Sequence, residues 1–364
     1  MRDEIIQKLL EGIRRYGLEN VSTLSKWIDI PVETARYMIW EELPKHGIDI
    51  GVSINLRRIG LSRWILTFKP KKKRYTDLIE KALKKGAGLI YIANQVPYNS
   101  SFAILAIPFG EDHKLRKQFE DLKNKGVIEE YSFEEVEWMR YLSFDPSYYD
   151  FKQRQWNFSW KKLENKEPLL TPYSKSEGPL PQIDYKDILI LKELQAKVPR
   201  TLSKLSGAIG LDQHNLRYHY KNHARLVIEG YYLKLVSTES QDNNVSLKFV
   251  YTIENERSLI ETRSIAVSLP FTTHVWKTEK TYGWSVKCPG DYVKDLLSHM
   301  NERFTTIQGK LDLLVIDTKS EFEASLPNDL FDESSGAWRY EPIVSFEQKE
   351  IKQETMDVKK LAYS

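Results

Sequence analysis

The sequence predicts an α+β fold built from two tandem repeats in one chain. Residues 3–40 match residues 184–221 when they are moved forward by 181 positions, and a fixed period of this kind is typical of a duplicated structural unit. In each copy, apolar residues recur first at helical spacing and then in the alternation typical of β-strands. The matched positions are Asp3 with Asp184, Leu10 with Leu191, Ile13 with Leu194, Leu24 with Leu205, Ser25 with Ser206, Ile28 with Ile209, and Arg36-Tyr37 with Arg217-Tyr218.

Each copy begins with a stretch that predicts three short helices. Ile5 to Ile13 has apolar residues at helical spacing, Ser22 is expected to cap the second helix, and Pro31 is expected to open the third. A short helix, a tight turn and a longer helix are typical of a helix-turn-helix module. In the second copy the expected N-cap residues are Asp184, Thr201 and Asp212, and Gly210 is expected to end the second helix.

The second part of each copy predicts the order βαββαβ, which is that of a ferredoxin-like domain. In the first copy, strands are expected at 64–68, 89–96, 102–107 and within 129–139, with helices at 75–83 and 113–122. In the second copy, strands are expected at 247–253, 273–278, 284–288 and 311–316, with helices at 257–267 and 291–303.

The repeat divides the chain into six expected segments. Aromatic residues follow each α/β stretch, and the Pro-, Ser- and Gly-containing residues 168–181 are typical of a linker. The segments are a first winged helix-turn-helix (1–55), a first ferredoxin-like domain (56–143), an aromatic strap and linker (144–182), a second winged helix-turn-helix (183–238), a second ferredoxin-like domain (239–322), and an aromatic and charged tail (323–364).

The composition is that of an ordinary globular chain, with 41 % hydrophobic and 29 % charged residues and a net charge of +3. No apolar run approaches the roughly 18–20 residues that cross a membrane, and the first residues lack the apolar core of a signal peptide. The single cysteine, Cys288, excludes an intrachain disulfide and a zinc site made of cysteines. We therefore expect a cytoplasmic protein without a membrane partner.

Residues 183–232 resemble the winged N-terminal module of the Lrp/AsnC transcription regulators. The matching parts are Asp184 before the first helix, Ile209-Gly210-Leu211 at the turn, Arg217 on the third helix and Gly230 after it. The α/β stretch that follows resembles the effector and dimerisation domain of the same family. The resemblance implies a nucleoid-associated regulator that binds double-stranded DNA, needs no cofactor and is not an enzyme.

The same resemblance implies how the α/β domains associate. In the family these sheets pair face to face, so one chain with two of them is expected to form an intramolecular pseudo-dimer. Homo-oligomers through the α/β domains are compatible with this expectation. Family regulators often bind an amino acid at a Gly-x-x-Asp-like hairpin, but this chain has Tyr282-Gly283-Trp284 without the Asp. The identity of any small-molecule effector is therefore left open.

The two helix-turn-helix copies differ in charge. Residues 16–53 contain three basic and six acidic residues, whereas residues 197–234 contain seven basic and two acidic residues. Phosphate neutralisation supplies most non-specific affinity for DNA, so the second copy is expected to be the main reader. Early turns of the third helix meet base edges and later residues meet phosphates. The expected DNA-binding residues are Gln213, His214, Asn215, Arg217, Tyr218, Lys221, Arg225, Arg36, Thr34, Arg57 and Arg58.

Three histidines share the third helix of the second copy. His219 and His223 are four residues apart, which is compatible with metal binding. No cysteine or acidic residue stands nearby in the sequence, so polar contacts are expected there and no metal site.

Two alternatives stay open beside the DNA-binding interpretation. The absence of a Gly-rich phosphate loop, a GxSxG motif and an HExxH motif favours a non-enzyme. Sirohaem decarboxylases nevertheless share the Lrp/AsnC-like architecture and use His and Arg residues on a tetrapyrrole. Residues 271–284 loosely resemble their site region and contain His274, for which a strand-surface position is the plainer expectation. The other alternative is a protein-interaction scaffold with degenerate helix-turn-helix modules.

Overall fold

Helices and strands alternate along the chain in the computed structural model, which describes residues 2–18, 20–153, 155–160, 163, 182–196, 198, 201–235 and 243–342. The helices are α1 (Arg2–Tyr16), α2 (Val21–Ile28), α3 (Val32–Tyr37), α4 (Leu43–Lys45), α5 (Lys73–Leu83), α6 (Asp112–Asn124), α7 (Tyr185–Ala196), α8 (Leu202–Ile209), α9 (Gln213–His219), α10 (Arg225–Val227), α11 (Glu256–Ser268) and α12 (Val293–Phe304). The strands are β1 (Ile48–Ile54), β2 (Leu61–Pro70), β3 (Leu89–Val96), β4 (Ser100–Pro108), β5 (Ile128–Tyr141), β6 (Tyr149–Asp150), β7 (Gln155–Trp156), β8 (Ile228–Leu235), β9 (Asn244–Thr252), β10 (Thr272–Thr278), β11 (Thr281–Pro289), β12 (Leu311–Ile316), β13 (Phe322–Glu323), β14 (Phe331–Asp332) and β15 (Ala337–Trp338).

Eight antiparallel strands close into a ring, here called the strand ring. Their order is β12-β9-β11-β10-β5-β2-β4-β3, and β3 pairs back with β12. Strands from the two halves of the chain pair at two places in this ring. Strand β5 pairs with β10, where Tyr141 faces His274, and β3 pairs with β12, where Val96 faces Val315. The short strand β13 adds to β3. The prediction of an α+β fold is confirmed, and the large antiparallel sheet is consistent with the expected ferredoxin-like order of elements.

The outer face of the strand ring is covered by helices. The helices α5 and α6 pack on β2 to β5 through residues such as Ile79 and Phe119. The helices α11 and α12 pack on β9 to β11 through residues such as Ile265 and Leu296. Each of these strands therefore buries alternate residues against helices, as the period of two requires.

The inner face has its own apolar core, made by both halves of the chain. It contains Phe102 from β4 and Trp276 from β10, with ring centroids 5.8 Å apart. Gly283 makes room for Trp276, because a Cβ atom there would stand 2.1 Å from the indole ring. The remaining buried members of this core are Ile65, Ile104, Val136 and Met139.

Two helical units flank the strand ring, one built on α1 to α4 and one on α7 to α10. The strands β1 and β8 pair with each other and join the two units. Leu233 of β8 lies in the core of the first unit, and Val52 of β1 lies in the core of the second. The expected caps Thr201, Gly210 and Asp212 occur as predicted, whereas α2 is capped by Asn20 and not by Ser22. Within the described residues, no helix has the length and apolar character needed to cross a membrane.

Candidate active site

One end of the inner face of the strand ring carries a row of three polar side chains. Lys248 on β9 pairs with Ser285 on β11, and Ser285 pairs with His274 on β10. Residues directly opposite each other in antiparallel strands project from the same face and contact each other. Lys248 Nζ donates a hydrogen bond to Ser285 Oγ at 2.9 Å, and Ser285 Oγ lies 2.9 Å from His274 Nε2. The row forms a continuous hydrogen-bonded path from an amine to an imidazole.

Lys248 is the buried end of this row, with 1 % of its surface exposed. Its Nζ atom lies 4.3 Å from the ring centroid of Tyr91 and 4.9 Å from that of Phe102. Burial lowers the pKa of Lys248 to about 8, while the carboxylates of Glu321 and Glu323 act in the opposite direction. An amine with a pKa near neutrality can both give and take a proton under physiological conditions.

His274 is the half-buried end of the row. Burial lowers the pKa of His274 well below its usual range, and the positive charges of Lys248 and Arg63 lower it further. Thr273 Oγ1 lies 3.1 Å from His274 Nδ1. The imidazole is therefore neutral at pH 7, with both ring nitrogens beside hydroxyl groups that can exchange protons with it.

Two stacked tyrosines lie beside His274. The rings of Tyr141 and Tyr232 are 4.6 Å apart between centroids, and the ring of Tyr141 is 5.7 Å from that of His274. Burial raises the pKa of both phenols, so both are neutral. Tyr232 belongs to β8, and the sheet that joins the two helical units therefore contributes directly to this end of the strand ring.

Arg63 on β2 supplies a second cation. Its Nε atom is buried and has no hydrogen-bond partner within the described part of the chain. Arg63 is two residues from Ile65 of the inner core and therefore projects from β2 to the same inner face, and its positive charge lowers the pKa of His274. Guanidinium groups bind carboxylates through parallel hydrogen bonds, and a buried donor without a partner carries a free-energy cost that an anionic ligand would remove.

The acidic side of the site comes from the segment between β12 and β13. Tyr91 donates a hydrogen bond from its hydroxyl to Glu321 Oε1 at 2.8 Å, and Ser246 Oγ donates to the same atom at 2.9 Å. Two cations, a neutral imidazole and one hydrogen-bonded carboxylate thus meet at the end of a water-poor interior. Such an arrangement can bind an anion and supply a proton to it.

Most of the predicted DNA-binding residues are exposed, and none belongs to the polar row. On α9, Gln213 Nε2 donates to Ser203 Oγ at 3.2 Å, and Asn215 Nδ2 donates to Asp212. His214, Arg217, Tyr218, Lys221 and Arg225 are exposed. In the first half, Arg36 pairs with Glu33, Arg57 pairs with Glu135, and Thr34 and Arg58 are half-buried. The DNA contacts assigned to these side chains stay a prediction.

His274 is the residue for which the plainer expectation was wrong. It lies on the inner face of the strand ring and not on an outer strand surface. Sequence reasoning missed Lys248, Ser285, Arg63 and Tyr141. A signal was present for one of them, since Ser246, Lys248 and Val250 alternate with the buried apolar residues of β9 and therefore share its second face.

No family model matches the chain, and no curated protein matches it. Solved structures do match. The structure of the siroheme decarboxylase NirDL has 11 % sequence identity and a TM-score of 0.54, and the match covers 88 % of this chain and 92 % of that chain. NirDL in co-complex with an iron-uroporphyrin III analogue has 11 % identity and a TM-score of 0.52, with 98 % and 97 % covered. AsnC from E. coli has 13 % identity and a TM-score of 0.29, with 37 % of this chain and 91 % of that chain covered.

These comparisons overturn two expectations from the sequence, that the chain is a DNA-binding regulator and that it is not an enzyme. The likeness that extends over 88 % or more of the chain is to a protein named as a decarboxylase. At 11 % identity that likeness shows a shared fold. The polar row inside the strand ring supplies chemistry that a DNA-binding surface would not need.

Proposed function

We propose that the chain is an enzyme that removes carboxyl groups from a tetrapyrrole, and that the reaction takes place at the Lys248, Ser285 and His274 row. The observation that carries this proposal is the hydrogen-bonded path from the buried Lys248 to the half-buried His274. The fold likeness to siroheme decarboxylase NirDL supports the choice of substrate class.

Arg63 is the proposed receptor for the substrate carboxylate. Its buried Nε has no acceptor within the described part of the chain, and Arg63 projects from β2 to the inner face that also carries His274. Charge-assisted hydrogen bonds of this kind are shorter and stronger than neutral ones. Arg63 would therefore fix one carboxylate while the macrocycle stays on the solvent side of His274 and Tyr141.

The proton comes from the row. In the decarboxylation the bond between the carboxyl carbon and its neighbour breaks, carbon dioxide leaves, and the electron pair remains on the neighbouring carbon. That carbon then takes one proton, so the step needs an acid and no oxidant. Lys248, with a pKa of about 8, is the proposed proton source, and Ser285 and His274 relay the proton to the half-buried end of the row.

We further propose that the two halves of the chain are duplicated units that pair as a pseudo-dimer. The proposed domain boundaries are those of the six segments that the sequence repeat predicts. The pairings β5 with β10 and β3 with β12 support this pairing. At the offset of 181, Thr67, Ala93 and Ile104 stand where the second half has Lys248, His274 and Ser285. The first half carries no ionisable side chain at these positions, so one reaction site per chain is proposed.

Binding of an iron porphyrin tests the site directly. Iron uroporphyrin III added to the purified chain is expected to give a saturable shift of the Soret band. Arg63→Gln is expected to weaken that binding about tenfold, which corresponds to about 1.4 kcal/mol. Arg257→Gln is the matched control, because the Arg257 side chain is 90 % exposed on α11. The absence of a saturable shift, or equal binding by both variants, would contradict the proposal.

A further inference from the structure

A second polar cluster, separate from the strand ring, lies inside the second helical unit. The carboxylate of Asp187 stands between two imidazoles, with Oδ1 2.9 Å from His219 Nδ1 and Oδ2 2.9 Å from His223 Nδ1. Asp187 has no exposed surface, His219 has 7 % and His223 is half-buried. The three side chains offer ligand atoms that all lie within 4.8 Å of one another.

Local structure holds each of these groups in place. At the start of α7, Asp184 N donates to Asp187 Oδ2 at 2.9 Å, and Asp187 N donates to Asp184 Oδ1 at 3.0 Å. This reciprocal pair is the arrangement of a capping box. His219 ends α9, and His223 lies in the π-helical turn Tyr220–Ala224 that follows. The first half has an equivalent π-helical turn at Met38–Glu42, so the turn belongs to the helical unit itself and sets the spacing between His219 and His223.

The first half shows that the helical unit packs without these groups. At the offset of 181, Ile6 stands in place of Asp187, Met38 in place of His219, and Glu42 in place of His223. Ile6 and Met38 are buried in the apolar core of the first unit. Asp187 has no exposed surface, and a carboxylate taken out of water carries a desolvation cost. A group that is costly to bury and unnecessary for packing needs another reason to be there.

We propose that Asp187, His219 and His223 form a binding site for a divalent transition metal ion of the zinc class. Two ligand atoms at about 2.0–2.1 Å from a tetrahedral zinc ion stand about 3.3 Å apart, and the two Nδ1-to-oxygen distances of 2.9 Å are close to that spacing. Two imidazoles and one carboxylate are a common ligand set for such ions. Asp184 Oδ1 lies 3.6 Å from His219 Nδ1 and accepts the hydrogen bond from Asp187 N, so water is the expected fourth ligand. This site is independent of the proposed reaction.

Zinc and cobalt titrations of the full chain test this site. Protein without a polyhistidine tag is treated with a chelator, and Zn²⁺ binding is then followed by calorimetry and Co²⁺ binding by its visible absorption. The expected result is one ion per chain, an imidazole-containing Co²⁺ spectrum and a higher Tm with Zn²⁺ than without.

The double variant Asp187→Ile/His219→Met restores the residue types of the first half and is therefore expected to fold. It should bind Zn²⁺ at least about 10–100-fold more weakly and lose the Co²⁺ bands. His214→Gln is the control, since His214 is exposed on the same helix and should leave binding unchanged. Wild-type protein that binds no ion, or a double variant that binds as tightly as wild type, would overturn the proposal and show that the three side chains form a hydrogen-bonded cluster only.

Discussion

Tyr141 and Tyr232 stack with their ring centroids 4.6 Å apart and their planes 13° from parallel. One ring comes from β5 of the strand ring and the other from β8, the strand that joins the two helical units. Because Tyr141 lies beside His274, this stack covers the half-buried end of the polar row. The strand β8 therefore contributes an aromatic side chain to the candidate active site and none of the three hydrogen-bonded side chains of the polar row.

Removal of one ring of this stack should expose His274. We expect Tyr232→Ala to lower the free energy of unfolding by about 2–4 kcal/mol, because a buried aromatic side chain is lost. It should also speed the modification of His274 by diethyl pyrocarbonate, read by mass spectrometry of the peptide. Tyr232→Phe keeps the stack and is expected to behave like wild type in both measurements. Equal modification rates in Tyr232→Ala and wild type would show that the stack does not cover His274.

Lys248 should be costly for stability and necessary for turnover. An apolar residue of similar length relieves the burial of a cation, so Lys248→Met is expected to raise the free energy of unfolding by about 1–4 kcal/mol in urea denaturation at pH 7. The same variant should lose decarboxylation. If this variant is less stable than wild type, the contacts of the ammonium with Ser285, Tyr91 and Phe102 stabilise the folded state by more than the desolvation of the ammonium destabilises it.

The pKa of Lys248 predicts a rise in stability at alkaline pH. The folded pKa of about 8 lies below the ordinary value of 10.5, so between these pH values the unfolded state holds a proton that the folded state has released. The free energy of unfolding therefore rises with pH across this window, by about 3 kcal/mol for this one group. Urea midpoints of wild type and Lys248→Met are measured across that pH range. The change in their difference with pH isolates the contribution of Lys248. A constant difference between the two proteins would contradict it.

His274 predicts a loss of stability at acidic pH. Its folded pKa lies well below the ordinary 6.5, so below pH 6.5 the unfolded state takes up a proton that the folded state does not. The free energy of unfolding therefore falls as the pH drops below 6.5. His274→Gln is expected to flatten this part of the profile. Parallel profiles for wild type and His274→Gln would count against a neutral, buried imidazole.

Gly283 tests the packing inside the strand ring. A Cβ atom there would stand 2.1 Å from the Trp276 indole, and we expect Gly283→Ala to cost about 1–3 kcal/mol through overpacking. Gly230→Ala on β8 is the matched control, since nothing lies within 4 Å of its added Cβ, and its effect should stay within about 1 kcal/mol. Chemical denaturation of both variants measures the difference, and equal stability would mean that Trp276 moves aside freely.

Local sequence patterns predicted where helices begin and end better than they predicted how the strands pair. The cap residues Thr201 and Asp212 and the αL residue Gly210 occur where the sequence placed them, because capping depends on a few neighbouring residues. Lys248 could not be assigned in the same way. An alternating strand with polar residues on one face is typical of a half-exposed sheet, and only the distant pairings that close the strand ring turn this face inward.

The position of His274 was missed for the same reason. Its burial depends on β10 pairing with β5, which lies more than a hundred residues earlier in the chain. Asp187 and the two histidines of the second helical unit were also brought together by helix packing and not by proximity in sequence. In both places the side chains were visible in the sequence, but the distances that make them a site depend on tertiary contacts.

Product analysis after anaerobic incubation with siroheme tests the central claim most directly. The full chain is expected to convert siroheme to a product lighter by carbon dioxide, detected by mass spectrometry. Lys248→Met and His274→Ala should each reduce the rate by about 10²–10⁴-fold, as expected for loss of a positioned acid. Lys287→Met, at an exposed lysine of β11, should keep the wild-type rate. Siroheme recovered unchanged from the wild-type chain, or a rate that Lys248→Met and His274→Ala leave intact, would contradict the account.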